Sequence, residues 1–195
     1  GLPSSSESMV EEINCKVSII MPTRNAGHEL DYILSKVVQQ NGIRSVEIII
    51  VDSGSDDNTL QIVRAHGARI IEIEPSEFNH GETRNLGAEL ATGNYLLFLT
   101  QDAIPIGDYW LYGMVKAVMS SQDIVASTCK SVPRTDADMF STWGMHLHHQ
   151  FMKLHQDEVR FSNTDINVLS AEERRRKGQL DDTCACVRMD IFQKF

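Results

Sequence analysis

Short apolar runs that alternate with helix-period segments constrain this chain more than any other feature. Lys16–Met21 and Val46–Val51 are rich in β-branched residues and stop at Pro22 and Asp52, the pattern of strands buried on both faces. Between them Leu30, Ile33, Leu34, Val37 and Val38 recur at helical spacing, and Gly42 stands past the end as a stop. A second helix carries Leu60, Ile62 and Val63 and ends at Gly67, before a strand over Arg69–Ile73. A helix over Glu82–Ala91 and a strand over Tyr95–Thr100 follow. Then come a helix over Tyr109–Ser120, with Leu111, Met114, Val115, Val118 and Met119 on one face, and a strand over Ile124–Thr128. This alternation predicts an α/β fold, a mostly parallel sheet with helices on both faces.

Beyond Lys130 the pattern loosens. A helical stretch near Met139–His155 and a charged run, Glu172–Lys177, precede Met189–Phe195, which starts like another helix and breaks off without a closing strand. The sequence therefore reads as C-terminally truncated. At 195 residues one domain is expected, after a polar, Ser-rich arm over residues 1–15 that reads as flexible. No apolar run approaches the ~18 residues of a spanning helix, and the start lacks the basic and apolar segments of a secretory signal. A formal net charge of −9 argues against a surface that tracks a phosphate backbone, so nucleic acid is not among the expected partners. An acidic protein that binds a diphosphate must neutralise it locally, with a cation, a few arginines or helix N-termini. Cys15, Cys129, Cys184 and Cys186 are scattered and read as reduced thiols of a cytoplasmic protein.

In open parallel sheets ligands bind outside the carboxyl ends of the strands. Here those ends carry Pro22-Thr23-Arg24-Asn25, Asp52-Ser53-Gly54-Ser55 and Gln101-Asp102-Ala103. Taken singly, each has a plain alternative: Asp52 caps its own turn, and Asp102 caps a turn ahead of Pro105. Together they gather two carboxylates, an arginine and two hydroxyls in one crevice, which unrelated turns do not explain. Glycine-rich phosphate loops of the G-x-x-x-x-G-K and G-x-G-x-x-G types are absent. A phosphoacceptor receiver domain would want an acidic pair where Pro22-Thr23 stands.

The segments VSIIMPTRNAG, EIIIVDSGSDDNT, GETRNLGAELATGNYLLFLTQDA and LDDTCACVRMDIF, in this order, resemble family 2 glycosyltransferases of the GT-A fold. FNHGETRN followed by FLTQDA resembles their rhamnosyltransferase-like branch. The resemblance implies a Rossmann-like GT-A domain over residues 16–195, with a nucleotide-binding part over 16–104 and an incomplete acceptor-side part over 105–195. It implies an inverting enzyme that takes a UDP- or dTDP-linked sugar, with rhamnose suggested by the second motif. The sugar would pass to a glycan or lipid-linked acceptor on the cytoplasmic side, and membrane association would be peripheral, through regions outside this sequence. Pro22, Thr23 and Arg24 would line the nucleotide pocket. Asp52 would accept the imide N–H of uracil or thymine, which suits an acceptor-only carboxylate. Arg84 would approach the base or the phosphates, with Asn85 and Gly87 letting its helix pack closely.

One motif departs from the family. The Asp-x-Asp sequence expected after the fourth strand reads Thr100, Gln101, Asp102. Asp102 would hold Mg²⁺ or Mn²⁺ together with the donor diphosphate, Thr100 would offer ribose a hydroxyl in place of the usual carboxylate, and Gln101 joins the nucleotide set. With a single carboxylate, metal and nucleotide would bind together. The resemblance places the catalytic base in an acidic motif beyond Phe195 and gives His80, Asp181 and Asp182 to the substrate side. His146, His148 and His149 read as structural or surface residues, because His148 lies off the helical face that the other two share. Cys184 and Cys186 read as buried small hydrophobes. Two alternatives stay open: a nucleotide-sugar-binding module without transfer activity, which the weakened metal motif favours, and a sugar nucleotidyltransferase. For the latter, PTRNAG is a poor match to the expected Gly-, Arg- and Lys-bearing loop.

Overall fold

The structure is a computed structural model that describes residues 10–134, 137–152, 170–171 and 183–194. In chain order its elements are β1 (Ile13–Thr23), α1 (Gly27–Val38), β2 (Ile43–Asp52), α2 (Thr59–Ala65), β3 (Arg69–Glu72), α3 (His80–Glu89) and β4 (Tyr95–Leu99). They continue with α4 (Trp110–Met119), β5 (Ala126–Thr128), α5 (Met139–Met152), β6 (Cys184–Arg188) and α6 (Met189–Phe192). The chain divides into two units, residues 1–128 with 182–195, and residues 129–181. Residues 105–128 and 183–194 supply α4, β5, β6 and α6 to the first unit. The second unit contains α5, on which Met139 and Trp143 are exposed.

The sheet order is β3-β2-β1-β4-β6-β5. β1 pairs parallel with β2 and β4, and β2 with β3, whereas β6 runs antiparallel to both of its neighbours. The mostly parallel α/β expectation holds, with β6 as an addition that periodicity did not mark as a strand. Its five residues include two cysteines and an arginine, a weak strand signal, yet it lies between β4 and β5 with Cys184, Ala185 and Cys186 at 2%, 5% and 0% exposure. The two cysteines are the small buried hydrophobes expected, and burial pushes the Cys186 thiol up to about 12, which keeps it inert as a nucleophile. β1 begins at Ile13, inside the stretch read as an arm, because Ile13 pairs with Ile43 and its N–H bonds the Gly42 carbonyl at 2.8 Å.

Period-two alternation distributes the core between two faces. One face presents Ile20, Ile49, Leu96 and Phe98, packed with Ala88 of α3 and with Met189 and Phe192 of α6. α3 approaches closely at Gly87, where a Cβ would stand 2.5 Å from Ile20 Cγ2 and 3.3 Å from Val51 Cγ2. The other face presents Ile19, Met21, Ile48, Ile50 and Leu97, all buried. α4 belongs to that side, since Ser127 Oγ, in register with Cys186 and through it with Leu97, donates to the Met114 carbonyl at 2.9 Å. α1 is joined to α4 where Gln40 Nε2 donates to the Gly107 carbonyl and Gln40 Oε1 accepts the Leu111 N–H. Val38 and Met119, counted from sequence into the apolar faces, are 52% and 51% exposed, because each ends its helix beyond the edge of the core.

A polar cluster ties the end of α3 to the sheet. The Glu47 carboxylate meets Lys16 Nζ at 2.8 Å and accepts from Ser18 Oγ, from the Thr92 N–H at 2.7 Å and from Thr92 Oγ1 at 2.9 Å. Burial pushes its carboxyl up, but Lys16, Ser18 and Thr92 outweigh this and bring it down to about 2 from an ordinary 4.5. The folded-state value is depressed, so the stabilisation is complete above pH 4.5 and is lost as the pH falls toward 2. Glu47→Gln should therefore cost about 1 kcal/mol at neutral pH, the solvent-screened end of charge-assisted bonding. In urea unfolding the gap from wild type should narrow between pH 4.5 and 2; a gap constant across that window would contradict the assignment.

Candidate functional site

The chain runs from β1 outward to β2 and β3, then crosses back over β1 to enter β4, so the topological switch point lies between β1 and β4. Crevices at such points, outside the carboxyl ends of the strands, are where α/β sheets bind ligands. Three loops leave the sheet at this end, after β1, β2 and β4, and the N-terminus of α3 follows the same end of β3.

Parallel register sets Thr23 beside Asp52, and this pairing organises the first two loops. Asp52 is only 1% exposed. Its Oδ2 accepts from Thr23 Oγ1 at 2.9 Å and from Ser55 Oγ, and its Oδ1 accepts the N–H groups of Gly54 at 3.1 Å and Ser55 at 2.8 Å. Asn25, in the left-handed region at φ 50°, adds two bonds across the gap: its N–H donates to Ser55 Oγ at 2.8 Å, and its Oδ1 accepts the Asp56 N–H at 2.9 Å. Further along, Ala26 N–H donates to Thr59 Oγ1 and Gly27 N–H to Asp57 Oδ2. The two loops are thus zipped residue by residue.

In this geometry Asp52, expected from the sequence to accept a base imide N–H, also fastens the two loops. A carboxylate offers about four acceptor sites, and four protein donors meet Asp52. The turn-capping alternative for Asp52 is what the bonds to Gly54 and Ser55 display. Thr23, 2% exposed, gives its hydroxyl to Asp52. Pro22 is half-buried, and Arg24 is exposed at the mouth.

After β4, the three residues in the place of Asp-x-Asp behave differently from one another. Thr100 Oγ1 is sealed from solvent and has no hydrogen-bond partner among the described residues. To meet the ribose contact expected from the sequence, this hydroxyl would have to turn out of its buried position. Gln101 turns back onto β1: Oε1 accepts the Arg24 N–H at 2.8 Å, and Nε2 donates to the Arg24 carbonyl at 3.2 Å. Asp102 is exposed on the turn, and no group of three His, Cys, Asp or Glu able to hold a metal occurs among the described residues. Asp102 thus offers one hard oxygen ligand, which suits a cation that draws its other ligands from a diphosphate and water.

On α3, Asn79 caps the helix by accepting from the Gly81 and Glu82 N–H groups, Arg84 Nη1 donates to the His80 carbonyl at 2.8 Å, and the His80 ring stands edge-on to Phe78 at 4.9 Å. His80 is exposed and Arg84 half-buried. Asp181 and Asp182 lie outside the described residues, as do the side chains of His148 and His149. His146 is exposed on α5, with Nε2 3.0 Å from Gln150 Nε2. The sequence reading assigned no role to Asn25, Ser55 or Asp57; their signal was the cluster of Asn, Ser and Asp directly after strands, the residues that bond nearby backbone in turns.

The sequence pattern of glycosyl transferase family 2 matches residues 18–179. The O-antigen chain rhamnosyltransferase RfbN of Salmonella typhimurium is 34% identical over 182 residues, covering 92% of this chain and 54% of that protein, so the chain spans about half of its relative's length. Among solved structures, the mannosyltransferase PcManGT of Pyrobaculum calidifontis in complex with GDP-Man and Mn²⁺ aligns with a TM-score of 0.62 at 18% identity, over 93% of this chain and 47% of that one. TarS 1–349 of S. aureus in complex with UDP aligns with a TM-score of 0.61 at 21% identity, over 92% and 48%. At these identities the two structures speak for the GT-A fold, and the family match decides the rest. The chain belongs to glycosyl transferase family 2 and, within it, resembles the rhamnosyltransferase-like branch.

Proposed function

We propose that this chain forms the donor-binding part of an inverting glycosyltransferase that takes a UDP- or dTDP-linked sugar, rhamnose in the first instance, and transfers it to a glycan or lipid-linked acceptor on the cytoplasmic side of a membrane. The observation that carries the proposal is the meeting of the loops after β1, β2 and β4 at the switch point, with Arg24 and Asp102 left exposed there. The rhamnose reading is supported by the name of the Salmonella relative. Among the described residues no helix is long and apolar enough to cross a membrane.

Within this reading each residue has a task. Arg24 and Arg84 supply the positive charge that a diphosphate needs in a chain of net charge −9. Asp52 holds the loops together and would accept the imide N–H of uracil or thymine. His80 would contact the substrate, and the family resemblance gives the same role to Asp181 and Asp182, which lie outside the described residues. Asp102 would hold Mg²⁺ or Mn²⁺, whose chemistry is to stabilise the charge of the leaving diphosphate. The catalytic base is not assigned to any described residue. A second reading, a nucleotide-sugar-binding module without transfer, is favoured by one observation: Asp102 is the one carboxylate in the Asp-x-Asp positions.

Titration calorimetry tests the proposal. UDP or dTDP should bind with heat, and Mn²⁺ should tighten binding by about tenfold or 1.4 kcal/mol. Asp102→Ala should abolish the Mn²⁺ effect while leaving metal-free binding in place. GDP binding in preference to both pyrimidine nucleotides would overturn the donor class, and binding with no transfer by the full-length protein would support the inactive module. Thr100→Val separates two roles for the sealed hydroxyl. Removing a buried, unpartnered polar group should raise stability by about 1 kcal/mol and leave UDP affinity unchanged; a loss of affinity would mean that the hydroxyl swings out to the ribose.

A further inference from the structure

The amide of Gln101 bonds both the N–H and the carbonyl of one residue, Arg24, at 2.8 and 3.2 Å. One planar group, supplied here by a side chain, thus meets both backbone groups of a single residue, as the two residues of an antiparallel hydrogen-bonded pair meet each other. It falls where the backbone ladder has ended, since the register between β1 and β4 runs from Val17↔Tyr95 to Ile20↔Phe98, while β1 continues to Thr23. The side chain therefore bridges the widening gap at the switch point, the place where the nucleotide is proposed to enter. Its two ends are the residue before Asp102 and the backbone of exposed Arg24.

From this we infer that Gln101 is a positioning residue, a clamp that fixes the Arg24 loop against the Asp102 turn and so sets where the Arg24 side chain meets a bound nucleotide diphosphate. The inference rests on the nucleotide-pocket reading but assigns Gln101 a role other than nucleotide contact. One N–H and one lone pair of its amide are used on Arg24, which fixes the amide plane and leaves a second donor and a second acceptor site. The residue must have a donor and an acceptor on one planar group at this reach. An acid would place an oxygen against the Arg24 carbonyl, and a shorter amide would fall a methylene short.

Two measurements on this chain test it. The first is amide hydrogen exchange at Arg24, read by NMR. Gln101→Met, of similar volume, and Gln101→Asn, which keeps the amide but shortens the reach, should both speed exchange at Arg24 by about tenfold or more, the loss of roughly one hydrogen bond. Unchanged exchange in both variants overturns the clamp, whatever the chain binds. The second is UDP titration with Mn²⁺ across a double-mutant cycle. Gln101→Met should weaken binding by about tenfold when Arg24 is present and by less than about twofold in the Arg24→Ala background, because an effect exerted through Arg24 vanishes without it. An equal loss in both backgrounds overturns the positioning role. If wild type binds neither UDP nor dTDP, the nucleotide-pocket reading fails, and the positioning role toward a nucleotide fails with it.

Discussion

The Asp52 carboxylate governs this architecture. A buried charge costs several kcal/mol unless every lone pair is met, and at 1% exposure Asp52 has no access to water. The chain meets the cost with donors from two different loops, Thr23 and Ser55 through hydroxyls and Gly54 and Ser55 through backbone. Satisfying Asp52 therefore requires the β1 and β2 loops to adopt one mutual arrangement, and Asn25 and Asp57 extend that arrangement toward α1 and α2. What looks from the sequence like a ligand-binding carboxylate is first a fastener of the surface on which a ligand would sit.

A second consequence concerns the β4 turn. At the three positions read as the Asp-x-Asp motif, this chain has a threonine whose hydroxyl is buried without a partner among the described residues, a glutamine that bonds backward, and one exposed aspartate. Neutral residues at the first two positions relieve the repulsion that adjacent carboxylates would impose on the turn, and the glutamine uses the freedom to reach across the switch point. A cation held there by Asp102 alone would have to draw its remaining ligands from a diphosphate and water. At the far end of the sheet the Glu47 cluster does comparable work with opposite chemistry, pairing its carboxylate with Lys16 so that the α3–β4 connection is anchored away from the site.

The amino-acid sequence determined the alternating elements, because buried parallel strands must be nearly continuous apolar runs and their covering helices must repeat at 3.6 residues. It also determined which strand ends are polar, and hence where a site had to lie. It did not determine that Cys184–Arg188 becomes a strand, since five residues acquire strand character here only by lying between β4 and β5. Nor did it determine the roles within the site. Asp52, Thr23, Thr100 and Gln101 were all legible as polar residues at the right places, but Thr23 bonds Asp52, 29 positions away, and Gln101 bonds Arg24, 77 positions away, partners that no local pattern reveals. Hydrogen bonds of such separation are set only when the parallel register brings Thr23 beside Asp52 and the crossover returns β4 to the side of β1. The tertiary structure alone decided which of these groups remain free.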